Sequence, residues 1–590
     1  MRGQRDTVAG AAGAEAASPT SNPEAHFQHA RALPRRGIDV LVSTLRELGV
    51  TRMFGIPGGA ISPLNDALLD VPEIDVIVTR HEAEAAFAAC GHAIQTGEVG
   101  VVFATSGPGA INALLGVASA FCDGIPLLVL VGEVPRAIQG KGALQDGSVH
   151  SLNILGMVRH IAKAAWEATD ASSLGHLARR AVALATSGRR GPVVLTLPLD
   201  VQMAPTFAAK IVGDEAAPRL LADAVLASLQ QCIEQSTRPV LLAGNGMRGA
   251  AQAAALLRFA EHAQIPVITS PKGKGVFPES HPLALGVFGI GGHPSAGRYL
   301  EGGVDMMLAL GTSFSDLGTE GWSKQLYPSH TLVHVDIDGA MLSRNYPADL
   351  GIAAPAEVVL DRLLARLPRR KAITSSGIER FSDPATTSDG AEGRISPARA
   401  LWELQRVLPR DAVYAIDSGE HFLFAAHYLE IDERDSFMAM TGLGAMGQSI
   451  GVALGAQLAK PSRTVAVILG DGGLTMIGTQ ILDAVALSAP LVIVCINDGA
   501  LRMCEIGHDS VYGRSPSYAT PAMDVVAFAG SLGAVGVRVD HTGELLAMKE
   551  LILARRGPVV IDVRVDRSFR IAKRDRIARI TAATTEGSFP

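Results

Sequence analysis

Short runs that are apolar at consecutive positions recur along the chain: "VGVVFAT" (99–105), "PLLVLVG" (126–132), "PVLLAG" (239–244), "TLVHVDID" (331–338) and "PLVIVCI" (490–496). A strand with one face in water alternates apolar and polar residues; these do not, so both faces must be covered. Helix-like stretches lie between them and can carry the chain back for another strand in the same direction. The pattern predicts parallel sheets sheathed by helices on both sides, an α/β protein. At 590 residues the chain has room for three or four such units, each with its own core.

Two polar segments break the alternation, "VQMAPTFAAKIVGDEAAP" (201–218) and "RRKAITSSGIERFSDPATTSDGAEGRISP" (369–397). The expected organisation is a disordered leader (1–35), a first domain (36–200), a middle domain (218–365), a linker (369–395), a third domain (396–566) and a tail (567–590). The leader is rich in alanine and small polar residues and has no signal-peptide apolar core; Asp6, Glu15 and Glu24 argue against a transit peptide. The outer domains look like copies of one unit. "RRGPVVLTLPLD" (189–200) recurs as "RRGPVVIDVRVD" (555–566), and "TSGPGAINALLGVASAFCDGIPLLVLVG" (105–132) resembles "LGDGGLTMIGTQILDAVALSAPLVIVCIN" (469–497) at nearly the same offset.

Composition excludes several classes. A net charge of −6 gives no broad electrostatic case for nucleic acid or anionic membrane, and no stretch approaches a membrane span. The five cysteines are odd in number, without C-x-x-C spacing, which fits a reduced, cytoplasmic compartment.

The second copy carries chemistry that the first lacks. Its G-D-G turn holds Asp471 between Gly470, Gly472 and Gly473, and the next apolar run ends in Asn497–Asp498. In a right-handed β-α-β crossover both strands point the same way, so these clusters meet at one sheet edge. The glycines are expected to let the backbone turn tightly and approach a ligand; the following helix N-terminus offers N–H groups to an anion. Carboxylate and amide oxygens are hard donors suited to Mg²⁺ bridging to phosphates. The first copy has "SGPG" at the same turn, so the fold alone does not require the acids. No G-x-x-x-x-G-K-[ST] is present, which excludes a nucleotide P-loop.

G-D-G, a helix, and a strand ending in Asn497–Asp498 resemble the thiamine-diphosphate signature, and the resemblance covers nearly the whole chain. "FGIPGGAISPLNDAL" (54–68), "TRHEAEAAFAACGHAIQTG" (79–97) and "TSGPGAINALLGVASAFCDGIPLLVLVGEVP" (105–135) are similar to the pyrimidine-binding domain of acetolactate synthases; "GLGAMGQSIGVALGAQLA" (442–459) is similar to their diphosphate domain. The resemblance implies three doubly wound parallel-sheet domains, the outer two duplicated thiamine-diphosphate-binding folds and the middle one Rossmann-like. It implies Asp471, Asp498 and the Ala500 carbonyl as Mg²⁺ ligands, with Asp498 where most relatives have a second Asn. It places Gly419, Glu420 and His421 at the diphosphate and Met446 under the bent cofactor, with Asn497 and the three turn glycines also in cofactor binding. Glu82 matches the catalytic glutamate that engages the aminopyrimidine, and Gln145 a glutamine at the substrate; Leu144 stands where biosynthetic relatives carry Phe. His81 is expected to be structural at least as much as chemical, and Glu84 to be a charge stabilising its helix's first turn.

The resemblance further implies carboligation with pyruvate as donor, and a homodimer at least, with a tetramer as the next assembly, because Glu82 and the Mg²⁺ clamp of one site come from different chains. A regulatory subunit is left open. Simple decarboxylation of a 2-oxo acid is the alternative. The acceptor is open too, since Gly507, between Ile506 and His508, stands where biosynthetic relatives place a bulky Trp. No tightly bound FAD is expected: "TSFSDLGTEGW" (312–322) lacks the relatives' acidic-and-arginine pattern, although "HVDIDGAMLSRN" (334–345) keeps the next motif. From another class, Gly244, Gly246 and Gly249 form a G-x-G-x-x-G with Glu261 near the expected acidic position, as in a dinucleotide-dependent dehydrogenase. A catalytically dead regulatory paralogue is disfavoured by the presence of Glu82, Asp471 and Asn497.

Overall fold

Three six-stranded sheets, each wholly parallel, and a short antiparallel pairing of Arg35–Arg36 with Pro205–Thr206 organise the computed structural model, which describes residues 35–207, 221–370, 390 and 393–571. The expected leader up to residue 34, most of the 369–395 linker and the tail beyond 571 lie outside the described residues. Residues 567–571, assigned to the tail, still pack on the third domain, with Ile571 buried and Phe569 against Phe424.

The first sheet comprises β1 (Arg52–Gly55), β2 (Asp75–Val78), β3 (Gly100–Ala104), β4 (Leu127–Glu133), β5 (Ala164–Glu167) and β6 (Pro192–Pro198), in the order β2-β1-β3-β4-β6-β5. The middle sheet comprises β7 (Pro239–Ala243), β8 (Val267–Thr269), β9 (Ala284–Val287), β10 (Met306–Leu310), β11 (Thr331–Asp336) and β12 (Leu350–Ala353), in the order β9-β8-β7-β10-β11-β12. The third comprises β13 (Val413–Ile416), β14 (Phe437–Ala439), β15 (Val465–Gly470), β16 (Val492–Asn497), β17 (Val535–Val539) and β18 (Val559–Arg564), in the order β14-β13-β15-β16-β18-β17. Renumbered from its own first strand, the third sheet has the order of the first, which is the duplication seen in the sequence. The middle sheet has the two-halved order of a dinucleotide-type fold. Every residue of β3 and β4 is buried, as their unbroken apolar runs require.

The helices that bear on the site are α1 (Glu82–Thr96), α2 (Pro108–Asp123), α3 (Glu420–Tyr428), α4 (Ser449–Ala459), α5 (Asp471–Ile477), α6 (Ile481–Ala486) and α7 (Arg502–Tyr512). Helix α1 is apolar nearly all round, so it must be covered on all sides. It crosses α4 at glycines: a Cβ on Gly91 would lie 1.9 Å from the Val452 carbonyl oxygen, and one on Gly455 1.8 Å from that of Ala88. This backbone contact fuses the first and third domains around one continuous core. The middle domain keeps separate cores. It meets the third where Ile431 N–H donates to Glu279 Oε2 at 2.8 Å, Glu279 being held within the middle domain by a buried ion pair with Lys274 (2.6 Å), and through His293 Nε2, 2.9 Å from the His427 carbonyl oxygen. The five cysteines are all free. No helix among the described residues is long and apolar enough to cross a membrane.

Candidate active site

Parallel pairing of β15 with β16 sets Gly470 opposite Ile496, so Asp471 and Asn497–Asp498 emerge side by side at the C-terminal edge of the third sheet. This is the juxtaposition their spacing predicts. Burial pushes Asp471 up, and burial followed by the charge of Asp471 pushes Asp498 up to about 7, with Glu420 adding to the effect. A cation between them would relieve that repulsion. Gly499, at φ +70°, turns the chain so that Ala500 N–H donates to Asp498 Oδ1 at 3.2 Å.

The three glycines of the turn act differently from the expectation. None has a positive φ; what they supply is space. A Cβ on Gly473 would lie 2.6 Å from Asp417 Oδ2, and one on Gly472 2.6 Å from Leu501 Cδ2 and 3.4 Å from Met446 Cε. A Cβ on Gly470 would sit 3.3 Å from His421 Nδ1. The His421 ring thus lies beneath the turn, beside Gly419. Burial lowers it to about 4, so it is neutral, and its Nε2 is buried with no partner among the described residues. An orphaned ring nitrogen, two facing carboxylates and a glycine-lined turn fit a diphosphate and a hard cation.

Residues that local sequence reasoning missed hold this cradle in place. Asn497 Nδ2 donates to Asp562 Oδ1 at 2.8 Å, leaving the amide oxygen for a ligand; Asp562 is fully buried on β18 and pairs with Arg564 at 2.8 Å. Asp417, after β13, accepts Gly447 N–H at 2.9 Å and Gln448 N–H at 3.2 Å, fixing the loop that carries Met446; burial pushes it up to about 6. Thr520 donates to Asp471 Oδ2, and Ala519 pairs with Ala500, so a strand-like segment lies over the clamp. The only sequence signal for Asp417 and Asp562 was an acid in or just after an apolar strand. Asp562→Ala should weaken Mg²⁺-dependent thiamine diphosphate binding by roughly 10–100-fold, the usual effect of losing an outer-shell partner. A calorimetric affinity equal to the parent's would show that Asn497 needs no such support.

In the first domain, Glu82 opens α1 beneath the His81 cap, whose Nδ1 accepts Ala83 N–H at 3.1 Å. Glu82 is buried. Its Oε2 accepts Asn112 Nδ2 at 2.9 Å, and its Oε1 lies 3.2 Å from where a Gly109 Cβ would be. None of its hydrogen bonds among the described residues reaches Asp471, Asn497 or Asp498. Glu84 departs from expectation. It is not a solvated first-turn charge but fully buried at the seam with the third domain, on α1's other side. Burial, and then the charge of Asp483, push it well above the usual carboxylate range. Arg80 pairs with that Asp483 at 3.2 Å. Gln145 adopts φ +61° in the loop after β4, beside Gly107, and Leu144 is 86% exposed. Gly507, Ile506 and His508 lie on α7, which buries none of its side chains.

The middle-domain glycines also serve packing. A Cβ on Gly244 would lie 2.4 Å from the Gly311 carbonyl oxygen, and one on Gly246 2.8 Å from Gly311 Cα. Gly246 borders a cleft of about 780 Å³ between the three domains, lined also by Arg189, Arg248, Lys272, Thr312 and Asp336. Glu261, the acidic candidate of the dehydrogenase reading, is exposed on its helix and not part of that lining.

Residues 35–152 match the thiamine pyrophosphate enzyme N-terminal TPP binding domain, 226–363 the central domain and 417–563 the C-terminal TPP binding domain. The chain belongs to the thiamine pyrophosphate enzyme family. It is 34% identical over 552 residues to a probable acetolactate synthase large subunit of Methanocaldococcus jannaschii, covering 90% of this chain and 92% of the relative. It is 32% identical over 553 residues to the acetolactate synthase isozyme 3 large subunit of Escherichia coli, covering 90% and 95%. The large subunit from Lactococcus lactis is 30% identical over 91% of this chain and 93% of its own length. This family member is a thiamine-diphosphate-dependent enzyme that forms carbon–carbon bonds. The dehydrogenase reading falls with that assignment.

Proposed function

We propose that the enzyme takes pyruvate as donor and joins its two-carbon fragment to a second carbonyl compound, with Mg²⁺ anchoring the cofactor. The observation that carries this reading is the pairing of duplicated sheets, one ending in the buried Glu82 and the other in the Asp471–Asn497–Asp498 clamp. Asp471, Asp498 and the Ala500 carbonyl would hold the metal; Gly419, Glu420, His421, Asn497, Gly470, Gly472 and Gly473 would receive the diphosphate, and Met446 would support the ring system. When bound, thiamine diphosphate supplies the carbon nucleophile that adds to the 2-oxo acid and retains the fragment left by CO₂. Glu82 holds a proton at the aminopyrimidine, Asn112 orients its carboxyl group, and Gln145 orients the donor.

The family resemblance that gives Glu82 its role also implies a dimer, in which each chain's Glu82 serves its partner's cofactor. The large-subunit names of the relatives support a further regulatory subunit for this enzyme. A cytoplasmic setting fits the free cysteines. Tightly bound FAD is not part of the proposal; flavin absorbance stoichiometric with purified protein would overturn that.

The acceptor stays open: Leu144 and the small Gly507 stand where biosynthetic relatives carry Phe and Trp, so acceptors other than a second pyruvate are tested beside it. Incubating enzyme, Mg²⁺, thiamine diphosphate and pyruvate, with and without candidate oxo acids and aldehydes, should yield a ketol identifiable by mass spectrometry. Acetolactate alone would make pyruvate the acceptor as well. Free acetaldehyde with every acceptor would replace ligation by simple decarboxylation.

A further inference from the structure

The first domain contains a buried carboxylate that the mechanism above does not use. Glu133 is the last residue of β4 and is fully buried. Its Oε1 accepts three hydrogen bonds, from Ser106 Oγ at 3.0 Å, Val134 N–H at 2.7 Å and Gly147 N–H at 3.1 Å. Its Oε2 is buried without a partner among the described residues. Burial raises this carboxyl group above the ordinary carboxylate range, and the three donors offset part of that cost. A buried acid is costly unless hydrogen bonds compensate it, and here the compensating donors come from separate segments.

What it joins is specific. Ser106 precedes Gly107 and the start of α2, the helix whose Asn112 binds Glu82 and whose Gly109 lies against Glu82 Oε1. Gly147 belongs to the loop that carries Gln145. That loop is closed on itself by Asp146, which accepts Gly140 N–H at 2.7 Å and Ser148 N–H at 3.0 Å. Gln145 within it has φ +61°, a conformation that non-glycine residues keep only where their surroundings impose it. Its Cβ lies 3.0 Å from where a Gly107 Cβ would be. One carboxylate oxygen therefore ties the Gln145 loop to the turn that supports Glu82.

We infer that Glu133 is a positioning residue that sets Gln145 and Glu82 relative to each other, and so determines how the 2-oxo acid is held. The inference rests on the donor-site reading of Gln145. It requires an acceptor at Oε1, not a charge, so Glu133→Gln should serve and Glu133→Ala should not.

The test measures steady-state constants for pyruvate together with thiamine diphosphate affinity for Glu133→Ala, Glu133→Gln, Gly147→Ala and Gln145→Ala. Glu133→Ala should raise KM for pyruvate about 10–100-fold, the scale of a displacement of about 1 Å, with cofactor affinity unchanged. Glu133→Gln should stay within about threefold of the parent, as expected where the acceptor atom is kept. Gly147→Ala should reproduce the KM defect in a chain with its carboxylate intact, because the added Cβ would meet Glu133 Oε2 at 2.6 Å and Ser106 Oγ at 2.8 Å. It decides the matter if Glu133→Ala does not fold. Parent-like KM in Glu133→Ala, or in Gly147→Ala when only that variant folds, beside an impaired Gln145→Ala overturns the role of Glu133 alone. A parent-like Gln145→Ala overturns the donor-site reading and this inference with it.

Discussion

Replacing Asp471 by alanine is expected to abolish Mg²⁺-dependent binding of thiamine diphosphate. Asp471 and Asp498 emerge side by side at a sheet edge, where burial, and then the charge of Asp471, pushes Asp498 up to about 7. Without the Asp471 carboxylate, a divalent ion keeps one acidic side chain, and the diphosphate's negative charge then meets Asp498 and the nearby Glu420 without a bridge. The loss should exceed the roughly 10–100-fold that follows removal of an outer-shell partner. Calorimetric titration with and without Mg²⁺ reads it directly. Parent-like affinity would remove Asp471 from the clamp. Asp471→Asn, which keeps the shape and one oxygen donor, should fall in between.

Glu82→Gln separates binding from chemistry. The clamp is untouched, so thiamine diphosphate should bind as in the parent, while turnover falls by roughly 10²–10⁴, the range for losing a positioned acid or base. The buried carboxyl group held by Asn112 is what the amide cannot replace, because it can accept a hydrogen bond but cannot release a proton. A Glu82→Gln enzyme that turns over at the parent rate would place the proton transfer elsewhere. If its cofactor affinity fell as well, Glu82 would be serving the cradle instead.

Much of the site was readable in order along the chain because its chemistry sits where strands end. Asp471 follows β15 directly and Asn497 closes β16, so two apolar runs and a helix-length gap were enough to place them at one edge. The same holds for Glu82, which opens a helix just after β2. Glu84 was misjudged because a carboxylate in a first helical turn is ordinarily solvated; that α1 is covered on every side depends on α4, hundreds of residues later. The turn glycines were assigned a conformational need when their real constraint is Asp417, Leu501 and His421 packed against them.

The sequence by itself determined the class of fold, the duplication and the order of the chemical groups, since strand burial and strand ends are local patterns with a period of two or less. Tertiary structure alone decided which groups support them. Asp562 orients Asn497 from the neighbouring strand β18, Asp417 holds the Met446 loop, and Glu133 joins the Gln145 loop to the start of α2. Each of these is a buried carboxylate meeting a partner from another segment. Their cost is tolerable only because folding brings a donor within about 3 Å, and no residue near them in the chain shows which donor that will be.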